Sequence, residues 1–133
     1  MKKLLINTVI LAFLPVIVGC ATSPHGLKEQ APDFESTINS SNVSKTSQCL
    51  LKKMEGYPLL IGFDFEDRTL PVQIRQFKDS TELYQMQGAW VVSLVELQKI
   101  SQSKTHATLR VNHAFASYYS TINAYEEFIA SCY

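Results

Sequence analysis

The 133-residue chain has no excess of charge of either sign, since 12 Lys+Arg residues are balanced by 12 Asp+Glu residues. A nucleic-acid-binding protein presents a basic surface to the phosphate backbone, so this balance argues against a nucleic-acid partner. The composition also excludes intrinsic disorder, because 46% of the residues are hydrophobic and the net charge is zero. The length fits a single domain of ordinary size.

The motifs of common catalytic and metal sites are absent from the sequence as well. The 5 glycines form neither a phosphate-binding loop nor a Gly-x-Ser-x-Gly elbow. The 3 cysteines and 3 histidines include no Cys-x-x-Cys pair and no His-Glu-x-x-His motif, the usual spacings of zinc ligands. We therefore predict no catalytic residue, no metal ligand and no cofactor, and we favour a protein that is not an enzyme.

The N-terminal segment differs from the rest of the chain. Lys2 and Lys3 are followed by residues 4–19, which carry no charge and are mostly apolar. A positive end followed by such a stretch is typical of a secretory signal peptide. A transmembrane helix needs about 20 apolar residues, and Pro15 interrupts this stretch, so a permanent membrane span fits less well. We predict a signal peptide over residues 1–19.

The signal ends in Ile17-Val18-Gly19-Cys20, which resembles the lipobox of bacterial lipoprotein precursors. In that family the cysteine sulfur takes a diacylglycerol as a thioether, and a peptidase cuts the chain just before the cysteine. The resemblance implies cleavage between Gly19 and Cys20. It also implies that Cys20 is lipidated and carries a fatty acid such as palmitate on its new amino group. An ordinary cleaved signal and an uncleaved anchor are the alternatives. The resemblance covers residues 1–23 alone.

The same resemblance implies a location in the cell envelope. In this family an Asp directly after the lipid-bearing cysteine retains the protein in the inner membrane, and this chain has Ala21 there. We therefore expect a lipid-anchored protein of the outer membrane that faces the periplasm. If the host is Gram-positive, we expect the lipid anchor in the cytoplasmic membrane. Two or more acyl chains hold a protein stably on a bilayer, whereas one chain binds only marginally.

The residues after Cys20 contain two prolines and a glycine and little that is apolar, which predicts a flexible tether over residues 20–34. A single folded domain is expected over residues 35–133, because Phe34 is the first aromatic residue after Phe13. Removal of the signal peptide leaves the mature chain with 10 basic against 12 acidic residues.

The hydrophobic pattern of the domain predicts two helices that flank a group of strands. Apolar residues recur at helical spacing within residues 44–55 and again within residues 118–132. Between them, alternating or continuous apolar residues predict strands near residues 59–65, 70–75, 82–87, 90–97 and 105–112. This order favours an α+β fold in which an antiparallel sheet of about 4–5 strands carries the N-terminal and C-terminal helices on one face.

Lipidation of Cys20 leaves Cys49 and Cys132 for other roles. A signal peptide places both outside the cytosol, where disulfides persist. Two helices on one sheet face can also bring their Cα atoms within the roughly 7 Å that a bridge requires. We predict a Cys49–Cys132 disulfide, with two buried free thiols as the alternative. A catalytic thiol is disfavoured, because neither cysteine has a basic or histidine neighbour to lower its pKa.

Three functional hypotheses follow from the sequence. The leading one is a small envelope lipoprotein whose domain binds a protein partner, since small lipidated domains resembling this one serve as assembly factors, secretin pilots or inhibitors. The second is a hydrolase of an envelope polymer, with Asp64, Glu66, His106 and His113 as its candidate residues. The third is a small-ligand carrier that uses the open face of the sheet, which predicts an apolar cavity of several hundred Å³. Contact with peptidoglycan, through stacking of Tyr84, Trp90, Tyr118 or Tyr119 on its sugars, is left open, with core packing of these aromatics as the alternative. Tyr119 is the foremost of the four, because it lies off the apolar stripe of its helix.

Overall fold

The structure is a computed structural model, and it describes residues 23–61, 66–113 and 118–133. The predicted signal peptide and its cleavage and lipidation residues, Gly19 and Cys20, lie outside the described residues. The elements in chain order are α1 (Pro24–Lys28), β1 (Phe34–Ile38), α2 (Val43–Gly56), β2 (Leu59–Ile61), β3 (Glu66–Arg68), β4 (Val72–Gln76), β5 (Ser80–Gln87), β6 (Trp90–Lys99), β7 (Thr105–Val111) and α3 (Tyr118–Ser131).

Five strands form one antiparallel sheet in the order β1-β7-β6-β5-β4, and β2 pairs with β3 in a separate two-stranded sheet. This architecture confirms the predicted α+β class. Strands β4 to β7 follow one another as a meander, in which each strand pairs with the next along the chain. Gly88 takes a φ of 61° in the β5–β6 turn, a left-handed backbone conformation that favours glycine.

The two long helices, α2 and α3, match the predicted ones. The Asn42 side chain caps α2 by accepting a hydrogen bond of 3.0 Å from the Lys45 backbone N–H. Helix α2 packs on β5, β6 and β4, α3 packs on β7 and β1, and the two helices contact each other. Both helices therefore share one face of the sheet, as the sequence predicted.

The main core lies between these helices and the sheet. Alternate residues of the strands point inward, and α2 and α3 cover them. The fully or almost fully buried side chains of this core include Leu50, Met54, Leu83, Val95, Leu97, Leu109, Val111, Tyr125 and Ile129.

Three elements were not predicted from the sequence: α1, β1 and the three-residue strand β3, which pairs with β2. Strand β1 has the sequence Phe-Glu-Ser-Thr-Ile, whose two apolar residues give a weak strand pattern, and it forms by pairing along its whole length with β7. Helix α1 lies inside the segment predicted to be a flexible tether. That prediction is wrong from Ser23 onward, because Leu27 is fully buried and because β1 already begins at Phe34.

A small polar cluster is enclosed in the main core. Gln85 and Ser93 are fully buried, and the Ser93 hydroxyl donates a hydrogen bond of 3.0 Å to Gln85 Oε1. The Tyr125 hydroxyl donates to the same oxygen, and Gln85 Nε2 donates to the Met54 carbonyl oxygen at 3.2 Å. These bonds give the buried polar groups partners and link α2, two strands and α3.

Burial within this cluster raises the pKa of the Tyr125 hydroxyl above its ordinary value. As the pH rises past about 10, the unfolded chain therefore loses this proton before the folded chain does. Tyr125 contributes stability that is present below that pH and is lost as the pH rises further. We expect the free energy of unfolding, measured in urea, to fall less steeply above pH 10 in Tyr125→Phe than in the parent protein.

Tyr133→Phe provides the control for this measurement, because the Tyr133 side chain is 66% exposed. It should reproduce the alkaline slope of the parent protein. At neutral pH, Tyr125→Phe should cost about 1 kcal/mol through the lost hydrogen bond. A slope in Tyr125→Phe equal to that of the parent would contradict the burial of this hydroxyl.

Candidate functional site

Cys49 and Cys132 form a disulfide, which confirms the predicted pairing. Cys49 lies in α2, and Cys132 follows α3 directly. Their Cα atoms are 5.6 Å apart, within the range that a bridge requires. The bridge joins the two helices on the covered side of the sheet, so both thiols serve the structure and neither is available as a nucleophile.

The other side of the sheet, which we call the open face, is rich in charged and polar side chains. They alternate with the core residues along the same strands, as the two-residue period of a strand requires. Those that belong to the open face are Glu35 and Thr37 on β1, Gln73 and Arg75 on β4, Glu82 and Tyr84 on β5, Glu96 and Gln98 on β6, and His106, Thr108 and Arg110 on β7.

The segment of residues 23–33, which we call the clasp, lies on this open face. The Ser23 side chain caps α1 by accepting a hydrogen bond of 3.1 Å from the Gly26 backbone N–H. Leu27 is fully buried in a second apolar cluster with Tyr84, Val91 and Leu94. Burial of a leucine side chain stabilises a folded segment by about 2 kcal/mol, so this contact contributes substantially to docking of the clasp.

Lys28 adds an ionic contact between the clasp and the sheet. Glu82 and Glu96 face each other directly on neighbouring strands, an arrangement that destabilises a sheet unless a cation lies between them. The Lys28 ammonium contacts the Glu82 carboxylate and lies 3.2 Å from Glu96 Oε2. The hydrogen bond to Glu82, together with that to Glu96, raises the pKa of Lys28, so the ammonium stays charged at neutral pH.

The C-terminal end of the clasp is fixed on β7. Asp33 Oδ2 accepts a hydrogen bond of 2.6 Å from the Val111 backbone N–H, and Asp33 Oδ1 lies 2.9 Å from His113 Nε2. Arg110 Nε donates to the Gln30 carbonyl oxygen at 2.9 Å. The clasp is therefore held by an apolar contact, an ionic contact and a hydrogen-bonded end.

The structure does not bring the two candidate histidines together. His106 lies in an open-face cleft of about 230 Å³, with its Nε2 atom 3.6 Å from Glu35 Oε2. His113 follows β7, seven residues further along, which corresponds to about 20 Å on extended backbone. The other hydrolase candidates cannot be placed, because Asp64 and the Glu66 side chain lie outside the described part of the chain.

The open face also differs from what a small-ligand carrier needs. The clasp and charged side chains occupy it, and the cleft around His106 is lined mainly by polar groups. Tyr84 is buried, with the Arg75 guanidinium 5.0 Å from its ring centroid, so its ring cannot stack on a sugar. The Tyr119 side chain lies outside the described residues.

No family model matches the chain, and no curated protein and no solved structure is significantly similar to it. Among the described residues, no helix is long and apolar enough to cross a bilayer. No group of three or more His, Cys, Asp or Glu side chains in that part of the chain is placed to hold a metal ion.

Proposed function

We propose that this protein is an envelope lipoprotein anchored through Cys20, and that its domain binds a protein partner and is not an enzyme. The observation that carries the proposal is the sequence Ile17-Val18-Gly19-Cys20 at the end of a charged and then apolar N-terminal segment. The Cys49–Cys132 disulfide supports export, since such bonds persist outside the cytosol.

The clasp adds a geometric consequence to this proposal. Only Ala21 and Thr22 separate the proposed lipid-bearing Cys20 from Ser23, where the clasp begins. Three links of extended chain span about 10 Å, whereas a flexible tether of about 14 links spans roughly 20 Å on average. The lipid anchor therefore holds the domain close to the bilayer for as long as the clasp stays docked on the open face.

Replacement of the lipid-bearing residue tests this proposal. Residues 1–19 are first exchanged for an ordinary cleavable signal in a Cys20→Ser chain, so that export continues without lipidation. We expect this chain in the soluble envelope fraction and the parent protein in the membrane fraction. Ala21→Asp in the parent is the matched control, because it keeps the lipid and should shift the protein from the outer to the inner membrane. Retention of the Cys20→Ser chain in the membrane fraction would contradict the proposal.

A further inference from the structure

Strand β1 and helix α3 border a groove of about 300 Å³. Strand β1 is one edge of the five-stranded sheet and pairs with β7 on its inner side, while α3 packs across both strands. The groove is lined by residues 34–39 on the strand side and by Glu126, Ile129, Ala130 and Tyr133 on the helix side. An extended segment lying in such a groove can hydrogen-bond to the edge strand and contact the helix with its side chains.

The side chains on both walls suit an added strand. Phe34, Ser36 and Ile38 pair with inward-facing residues of β7, so they point toward the helix side of the sheet. Ile129 and Ala130 lie three and four residues after Glu126, so these three residues share one side of α3. Tyr133 follows the helix, which ends at Ser131. Ala130 is small and exposed, which leaves room for alternate side chains of an incoming segment.

The two edges of the sheet differ in their protection. Edge strands are commonly shielded from further pairing by proline or by basic side chains. Strand β4 has Pro71 directly before it and Arg75 within it, whereas β1 contains neither proline nor a basic residue. Among the described strands of this sheet, β1 is therefore the edge that is open to an additional strand.

The charge of the groove determines which extended segments can bind in it. Its helix side carries Glu126, and its lining contains no Lys, Arg or His side chain. Glu35 also borders the groove, but its side chain belongs to the open face, where its Oε2 atom lies 3.6 Å from His106 Nε2. Glu126 is exposed, so its charge is accessible to an incoming segment. A segment with a lysine or arginine matches this lining, and one with acidic residues is repelled.

We propose that this groove binds an extended segment of the envelope protein partner as an additional strand on β1. Alternate apolar or β-branched side chains of the segment pack against α3, and a lysine or arginine lies beside Glu126. This inference rests on the proposed function, since it states where the partner binds and what chemistry the bound segment has.

A library of random peptides of about ten residues, longer than the five-residue strand β1, provides the probe. The target is the mature protein purified from its envelope in detergent. We expect the selected peptides to alternate apolar or β-branched residues with polar ones and to contain at least one lysine or arginine. Their affinity should fall as the ionic strength rises.

Glu126→Lys and Glu127→Lys form a matched pair of variants for this test. The two glutamates are adjacent and exposed on α3, and only Glu126 lines the groove. Glu126→Lys should weaken peptide binding about tenfold, and Glu127→Lys should change it less than about twofold. Ala130→Trp should abolish binding by filling the groove. All three substitutions are at exposed positions, and circular dichroism would verify that each variant keeps its fold.

The inference is overturned if the selected peptides bind Glu126→Lys and Ala130→Trp as tightly as the parent, or if no peptide binds. It is also overturned if a second copy of the chain occupies the groove, which would give a concentration-dependent dimer that Ala130→Trp abolishes. Loss of peptide binding leaves the membrane fractionation of the Cys20 variants unaffected, so a failure here is separable from a failure of the proposed function.

Discussion

Replacement of both Cys49 and Cys132 by alanine should lower the free energy of unfolding by about 3–4 kcal/mol. The bridge closes a loop between residues 83 positions apart, and this loop contains every strand of the main sheet except β1. A cross-link over so long a loop removes much of the conformational freedom of the unfolded chain, and the chain-entropy treatment gives about 4.5 kcal/mol for it. Urea unfolding of the oxidised parent protein and of the double variant measures the difference.

The single variants provide the control for this measurement. Cys49→Ala and Cys132→Ala each break the same bond, so each should lose nearly as much stability as the double variant. Reduction of the parent protein with a thiol should produce a similar loss. A double variant within about 1 kcal/mol of the oxidised parent would show that the bridge contributes little to the stability of this fold.

Lys28→Met should lower the free energy of unfolding by about 2–3 kcal/mol. The methionine keeps an apolar stem on the sheet but removes the ammonium that lies between two facing carboxylates. The Glu82 side chain is only 4% exposed, so it would be left as a buried carboxylate without this cation. The expected loss is below that for a fully buried pair, because the Lys28 side chain is 35% exposed and partly screened by water.

Two further variants make the Lys28 experiment specific. Glu82→Gln added to Lys28→Met should recover about 1–2 kcal/mol, because it removes the repulsion between the facing carboxylates. Lys52→Met, at an exposed position on α2, should change stability by less than about 0.5 kcal/mol. Limited proteolysis should cut the clasp faster in Lys28→Met than in the parent protein. Equal stability and equal cleavage rates would contradict the ionic contact between clasp and sheet.

The elements that were predicted correctly are those with a strong apolar pattern. Strands β6 and β7 carry long runs of buried apolar residues on their inner side, and α2 and α3 show the helical period. The disulfide could be predicted because two expectations agreed, namely a signal peptide that places the cysteines outside the cytosol and two helices on one sheet face.

The missed elements depend on contacts that a local pattern does not contain. A five-residue helix such as α1 is not stable alone, and here it forms because Leu27 and Lys28 find partners on the open face. One local signal was present, since Ser23 and Pro24 are the residue types that begin helices. The prolines and the glycine of the segment are typical of a flexible tether, and they favoured that prediction over a helix.

The groove beside β1 could not have been predicted from the sequence either. The groove lies where it does because β1 is an edge strand of the sheet. Strand β1 takes that position by pairing with β7, and the two strands lie far apart in the sequence. Strand β1 contains mostly polar residues, so its sequence alone does not predict a strand. The facing pair of Glu82 and Glu96 likewise emerges only from the register of two strands.

Lipidation of Cys20 is tested most directly by mass spectrometry of the N-terminal peptide of the protein purified from its native envelope. The predicted result is a peptide that begins at Cys20 and carries a thioether-linked diacylglycerol, with a fatty acid on its amino group. A peptide that begins at Met1, or one that contains an unmodified Cys20, would contradict the lipid anchor.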